Sequence, residues 1–381
     1  MAISFTHETL GQRVLFGTAQ ASEHIRAEMK RLGATRAMLI ASDRDESLVG
    51  SLSDKLPVTL RWTEVNQHVP LENAVRARTA AQDARVDVLV AVGGGSTTGL
   101  AKAIALTSGL PIVSVPTTYS GSEGTNVWGL TENGVKRTGV DPAVLPVAVI
   151  YDAELTLSLP VTLSVTSGLN GLAHCVDALW APRADPINQA LGLEAARALA
   201  SALRGIVADA DDYAAREAAL YGCYLAAVAF ASAGSGLHHK ICHVLGGAFD
   251  LPHAHTHAAV LPYVLAFNAP AVPEQAARLA NVLGGNTITP DDDAAAAAVS
   301  ALSELYQDIG APRRLEDHRF TVANIPDAIT PILGAIAASN PVPVTESNLT
   351  ALLTAALTGT VPTPIGSTAT WPSGLPENAL H

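Results

Sequence analysis

The side chains best equipped for chemistry are histidines in the second half of the chain. His174 lies four positions after Asn170, His239 and His243 are four apart, and His253, His255 and His257 follow closely. Side chains at i and i+4 share one face of a helix, so His239 and His243 can point together. One imidazole on an alanine-rich helix is ordinarily a satisfied core residue. Several between positions 239 and 257, in a chain with only 15% charged residues, read as a functional cluster. Converging imidazoles suit two chemistries. One is a divalent metal site, where neutral imidazoles and a carboxylate are ordinary ligands. The other is metal-free proton transfer with oxyanion stabilisation. Asn170 bears on the choice: an amide does not offset an ion's charge and binds it less well than a carboxylate.

A second constellation lies upstream. Gly93-Gly94-Gly95-Ser96 directly follows an apolar run and opens a helical one. Glycines let the backbone approach a pyrophosphate, and a helix N-terminus presents free N–H groups and partial positive charge. The spacing is neither G-x-G-x-x-G nor G-x-x-x-x-G-K-S/T, so neither the ordinary Rossmann fingerprint nor a P-loop applies. The next strand runs into Pro116-Thr117-Thr118-Tyr119 and then Gly121-Ser122-Glu123. Two such loops at the carboxyl ends of adjacent strands form the crevice where open α/β sheets bind ligands. The expected cofactor-binding residues are Gly93, Gly94, Gly95, Ser96, Thr117, Thr118, Asp43 and Lys102. Asp43 is placed either to bond an adenosine ribose and repel a 2′-phosphate, which tilts the reading to NADH over NADPH, or to cap a turn. Lys102, on the glycine-loop helix, is expected to face the cofactor cleft.

The elements that must position these groups divide at about residue 158. Before it, strands are expected at 13–16, 37–41, 58–65, 86–92, 112–115 and 147–151. Helices are expected at 22–32, 72–84 and 96–107, with Ser22 and Ser96 as N-caps and Gly33 and Gly109 as stops. Short apolar runs separated by helices imply a parallel sheet covered on both faces. After it, Ala/Leu-rich helices are expected at 186–207, 214–233, 291–305 and 348–356, the third opened by Asp291-Asp292-Asp293. The expectation is an α/β dinucleotide-binding domain over residues 1–158 and an all-helical catalytic domain over 159–381. An irregular tail holding Pro362, Pro364, Pro372 and Pro376 would close the chain.

Bulk composition narrows the classes. With 48% apolar residues the 381-residue chain can fill a large core, and 4% aromatics means Ala, Val, Leu and Ile must build it. A net charge of −12 makes a poor general binder of nucleic acid or anionic membrane. Three cysteines, Cys175, Cys223 and Cys242, without a C-x-x-C pair fit a reduced, cytoplasmic setting. The first ten residues lack a basic start and apolar run, so no signal peptide is expected. No apolar stretch of about 20 residues suggests a membrane span.

Taken together, these residues resemble the iron-type (group III) alcohol dehydrogenases, which share a dehydroquinate-synthase-like architecture, and within them the maleylacetate reductase branch. The resemblance is carried by GGGSTTGLAKAIAL at 93–106, PTTYSGSE at 116–123, WGLTENGVKRTG at 128–139, SVTSGLNGLAHCVDALWA at 164–181, LHHKICHVLGGAFDLPHAHTHAAVLP at 237–262 and AFNAPA at 266–271. It implies an active site in the cleft between the two domains. The family's first metal ligand, an aspartate, falls on Asn170, its metal-binding histidines on His174, His239 and His253, and its additional active-site histidine on His243. Gly99 stands where the family has an aspartate, and the Thr117-Thr118 loop is one residue shorter. All three departures are shared with the maleylacetate reductase branch.

The function so implied is NAD(P)H-dependent reduction of maleylacetate, a keto acid with two carboxylates, to 3-oxoadipate in aromatic-compound breakdown. Asn170, His174, His239, His243 and His253 are its expected catalytic residues, a divalent metal is not required, and a homodimer is expected. Lys136, Arg137 and Lys240 are candidates for holding the substrate's carboxylates, the first two equally for an exposed hairpin turn at Asn133-Gly134. The rival readings are a metal-dependent alcohol dehydrogenase, a carbon–oxygen lyase of the dehydroquinate-synthase kind, and a non-catalytic dinucleotide sensor.

Overall fold

The computed structural model describes residues 4–53, 56–132, 135–285 and 287–360. The proline-bearing tail and Asn133-Gly134 lie outside the described residues. In chain order the strands are β1 (Arg13–Phe16), β2 (Ala37–Ile40), β3 (Val58–Trp62), β4 (Val88–Gly93), β5 (Ile112–Pro116), β6 (Val127–Glu132), β7 (Val135–Val140) and β8 (Ala148–Tyr151). Six pair in parallel in the order β1-β8-β5-β4-β2-β3, while β6 and β7 form a separate antiparallel hairpin.

The sheet forms where short apolar runs alternate with helices α1 (Ala21–Leu32), α2 (Glu46–Ser53), α3 (Leu71–Asp83) and α4 (Gly95–Ser108). Successive side chains of a strand point to opposite faces. Leu39, Val90, Val92, Val113 and Val115 thus pack with Ile25 and Met29 of α1 and Leu52 of α2. Met38, Ile40, Leu89 and Ala91 pack on the other face with Ala74 and Ala77 of α3 and Leu100 and Ile104 of α4. Burial on both faces is why these strands carry so few polar residues.

From Val161 onward the described chain is helical: α5 (Val161–Ala178), α6 (Pro186–Ala208), α7 (Tyr213–Ala233), α8 (Leu237–Phe249), α9 (His253–Asn268), α10 (Pro273–Gly284), α11 (Ala294–Asp308), α12 (Ile325–Ala335) and α13 (Glu346–Thr358). Helix α5 is the hub, buried at every position from Ser164 to Ala178. Small residues let its neighbours close in; a Cβ at Gly168 would stand 2.6 Å from Leu203 Cδ2 of α6. Asp185 caps α6 by accepting from the Ile187 and Asn188 amides. Among the described residues no single helix is long and apolar enough to cross a membrane.

Four local expectations are corrected. Helix α1 starts at Ala21 behind Gln20, not at a Ser22 cap, and α4 starts at Gly95 with Gly94 at the cap position and no side-chain cap. Ser96 sits inside that first turn, which leaves the leading N–H groups to a ligand. The strand expected over 58–65 stops at Trp62, ahead of the left-handed residues His68 and Val69. Lys102 does not face the cofactor cleft. It is 1% exposed, and its Nζ donates to the Ser122, Thr125 and Val127 carbonyls at 2.6–2.8 Å and to Thr125 Oγ1 at 3.1 Å. Burial pulls its ammonium down to about 7, against the pull of the Glu123 carboxylate. Lys102 therefore pins the turn between β5 and β6 from beneath. Replacing it in Lys102→Met strands three buried carbonyls and is expected to cost about 3 kcal/mol of stability. Urea denaturation of the two proteins checks this; an unchanged midpoint would remove Lys102's structural role.

Candidate active site

Backbone proximity builds the first part of the site. Gly93 has φ +151, and a Cβ there would meet Thr97 Oγ1 at 2.4 Å, so only glycine joins β4 to α4 in this way. Cβ atoms at Gly94 and Gly95 would reach Thr118 Cγ2 at 3.0 Å and Ser120 Oγ at 3.1 Å. The Thr117 amide donates to the Gly93 carbonyl at 3.1 Å. The glycine loop and the Thr117-Thr118 loop are thus one surface, with an uncapped helix N-terminus at its centre, and they fit a dinucleotide's pyrophosphate. Asp43 opens the short 3-10 turn Asp43–Asp45 just beyond β2, the strand beside β4, and its side chain is exposed.

The same loop leads to the histidines. Asn170 Nδ2 donates to the Ser120 carbonyl at 3.3 Å, and a Cβ at Gly121 would lie 3.4 Å from His174 Cε1. The His174 and His239 rings stack at 4.7 Å between centroids, 15° from parallel, with Phe230 of α7 at 4.5 and 4.4 Å from them. His243 lies 5.9 Å from His239 and 6.5 Å from His253, ring to ring. Asn170, His174 and His239 are buried, His243 is half-buried and His253 exposed, so the cluster runs from a dry floor to a wet rim.

The histidine tautomers are set by partners. Asp177, 0% exposed, accepts from His239 Nδ1 at 2.8 Å and from the Gly236 and His239 amides at 3.0 and 3.3 Å. With its Nδ1 proton committed, His239 presents a lone pair at Nε2, which has no partner among the described residues. His174 Nδ1 and Asn170 Oδ1 are likewise buried without one. Their donor chemistry fits a divalent ion: two imidazoles with unengaged buried nitrogens, one of them oriented by a carboxylate, and His253 at the rim.

Sequence reasoning missed Asp177, Phe230 and His238, and named His257 in the cluster without giving it a role. Asp177 had a signal, a lone carboxylate three residues after His174 on an otherwise uncharged helix. His257 contacts His253 at 4.3 Å and His239 at 4.8 Å, ring to ring. Of the cationic candidates, Arg137 is 70% exposed and ion-paired with Glu132 at 2.9 Å, and Lys240 is partly exposed on α8. Gly99 has a steric reason: a Cβ there would stand 2.9 Å from Val69 Cγ2. Val69 and His68 are held at φ 47 and 60 by Thr131, whose amide donates to the Val69 carbonyl at 3.0 Å and whose hydroxyl donates to the His68 carbonyl at 2.8 Å.

Burial, reinforced by neighbouring rings, holds His174 and His238 down at about 3 and His239 and His257 well below the ordinary histidine value. An unfolded chain protonates the same rings near ~6.5. Between about 3 and 6.5 it binds more protons than the folded protein, so stability is lost as pH falls through that window. The urea midpoint is expected to drop steeply from pH 7 to pH 5, and His174→Asn to flatten the fall; a level profile would contradict neutral burial. Asp177→Asn is expected to lower kcat/KM about ten- to hundred-fold by releasing His239's tautomer, with binding of a reduced nicotinamide dinucleotide unchanged by fluorescence titration. Equal loss of both would mean a general structural defect instead.

The arrangement has close parallels. The sequence profile described as iron-containing alcohol dehydrogenase matches residues 11–153, and that described as Fe-containing alcohol dehydrogenase family, C-terminal, matches 164–357. Maleylacetate reductase of Sphingobium indicum is 42% identical over 368 residues, covering 94% of this chain and 99% of its own. An iron-containing alcohol dehydrogenase from Corynebacterium glutamicum superposes with TM-score 0.90 at 53% identity, covering 95% of this chain and 99% of that one. Maleylacetate reductase from Rhizobium sp. superposes with TM-score 0.86 at 39% identity, covering 94% and 99%. With both halves matched and the cofactor loop facing the histidine cluster, the chain belongs to the iron-containing alcohol dehydrogenase family, and within it is similar to the maleylacetate reductases.

Proposed function

We propose that the chain is a maleylacetate reductase, transferring hydride from NADH or NADPH to the double bond of maleylacetate to give 3-oxoadipate. The observation that carries this reading is the pairing of an uncapped glycine loop with a neutral imidazole pocket in which an amide, Asn170, replaces the family's carboxylate. Hydride leaves C4 of the nicotinamide for the alkene carbon β to the ketone. Negative charge passes to the ketone oxygen as an enolate, and a proton then joins the other alkene carbon.

Hydrogen-bond donors must meet that enolate oxygen. His239 donates its Nδ1–H to Asp177, so its Nε2 accepts rather than donates, which leaves His174, His243 and His253 as candidate donors. His243 is half-buried and His253 exposed, so these two can exchange protons with solvent and supply the carbon-bound one. A divalent ion, where bound, would be held by His174, His239 and His253 and would polarise the ketone oxygen as a Lewis acid. Lys240, partly exposed and next to His239 on α8, is a basic candidate for a substrate carboxylate. The exposed Asp43 carboxylate supports NADH over NADPH.

One observation favours a second reading, metal-dependent alcohol oxidation: the unengaged His239 Nε2 lone pair is what a metal ion seeks. Three buried free cysteines support a reducing, cytoplasmic setting. Phe16, 45% exposed on edge strand β1, and Tyr221, 40% exposed, line a groove of about 450 Å³ that supports contact with a second copy.

The assay follows NADH oxidation with maleylacetate after exhaustive chelation, with and without added iron or zinc, and then with simple alcohols. Full activity in the chelated enzyme is expected, and His243→Ala is expected to lower kcat about 10²-fold or more. Activity only on metal addition would make the open site's ion essential. No turnover of maleylacetate in either state would refute the substrate assignment.

A further inference from the structure

Helices α8 and α9 bring together three groups that the chemistry above does not use. His238 and Cys242 sit four apart on α8, and His257 faces them from α9. All three are at most 1% exposed, and one donor atom from each lies within 4.8 Å of the others. His238 Nε2 is 3.0 Å from His257 Nδ1 and 3.6 Å from Cys242 Sγ.

These separations are close to those of ligands on one ion. With metal–sulfur about 2.3 Å and metal–nitrogen about 2.1 Å, tetrahedral ligands place S and N about 3.6 Å apart and N and N about 3.4 Å apart. The S···N distance already matches, and a small ring rotation opens the N···N distance. The donor set is one thiol and two imidazoles with no oxygen, which selects soft ions over magnesium, calcium or manganese. It is also distinct from the family's set at His174, His239 and His253.

We propose that His238, Cys242 and His257 form a closed second site for a thiophilic d10 cation, monovalent copper or zinc. Loading releases one proton, from the Cys242 thiol. The imidazoles stay neutral by carrying their protons on His238 Nδ1 and His257 Nε2, neither of which has a partner among the described residues. Copper(I) and one thiolate sum to zero charge, which suits a fully buried site. Zinc leaves one positive charge, and Asp177, bonded to the neighbouring His239, is the carboxyl available to offset it. The ion would tie α8 to α9, the helices that carry His239, His243 and His253.

The inference is independent of the substrate assignment, because its readout is metal content. The chelated protein is titrated without oxygen with copper(I) against a chromogenic competitor, and separately with zinc. Wild type is expected to bind one equivalent more than Cys242→Ser or His257→Asn, and His253→Ala, which removes an open-site ligand but leaves His238, Cys242 and His257 in place, is expected to keep that equivalent. X-ray absorption of the loaded wild type is expected to show one sulfur neighbour. Which ion loads identifies how the charge is balanced. Equal stoichiometry in wild type and Cys242→Ser would overturn the site. If the variants do not fold, a loaded wild type without a sulfur neighbour would overturn it as well.

Discussion

Imidazole rings packed face to face away from water hold together only while they carry no charge. His174 and His239 stack at 4.7 Å, and a proton on each would set like charges against one another where solvent screens poorly. The surrounding residues meet this demand. Phe230 covers both rings with hydrocarbon, α5 contributes an unbroken buried face, and Asp177 accepts the Nδ1–H hydrogen bond that fixes how His239 is oriented. Solvent reaches the cluster at the rim, where His243 is half-buried and His253 exposed. In the proposed reduction that rim is where the carbon-bound proton would enter.

The two halves of the site are mechanically one. Residues 117–121 touch the glycine loop at one end and His174 at the other, with Asn170 holding the Ser120 carbonyl between them. Beneath the continuation of that segment, Lys102 gathers three carbonyls from residues 122–127. The backbone that lines Gly94 and Gly95 is therefore continuous with the backbone that packs on the histidine rings. A ligand at one end and a ligand at the other would be related by a short covalent path instead of by loose docking of two lobes.

Much of this was readable in the chain, for identifiable reasons. A parallel sheet buried on both faces leaves continuous apolar runs, so β4 and β5 and the crevice at their ends are visible in the spelling of residues 86–123. The histidines announce themselves by number and spacing. What could not be read is direction. Lys102 looks the same whether it points at a phosphate or at three carbonyls, because the turn that decides this is formed by Ser122–Val127, some twenty residues on. Asp177 and His257 have meaning only through partners on other helices. Serine caps were expected from local propensity at Ser22 and Ser96, yet the glycine-loop helix begins uncapped, its leading N–H groups open to an anion.

The contact between Gly99 and Val69 couples separate parts of the chain. The space an aspartate would need at position 99 is filled by a valine whose backbone is held in the left-handed region by Thr131, itself on the β6–β7 hairpin. An aspartate introduced at position 99 alone would meet that wall, and shrinking the valine alone would relax a loop with nothing to fill it. The two positions can therefore be exchanged without strain only as a pair.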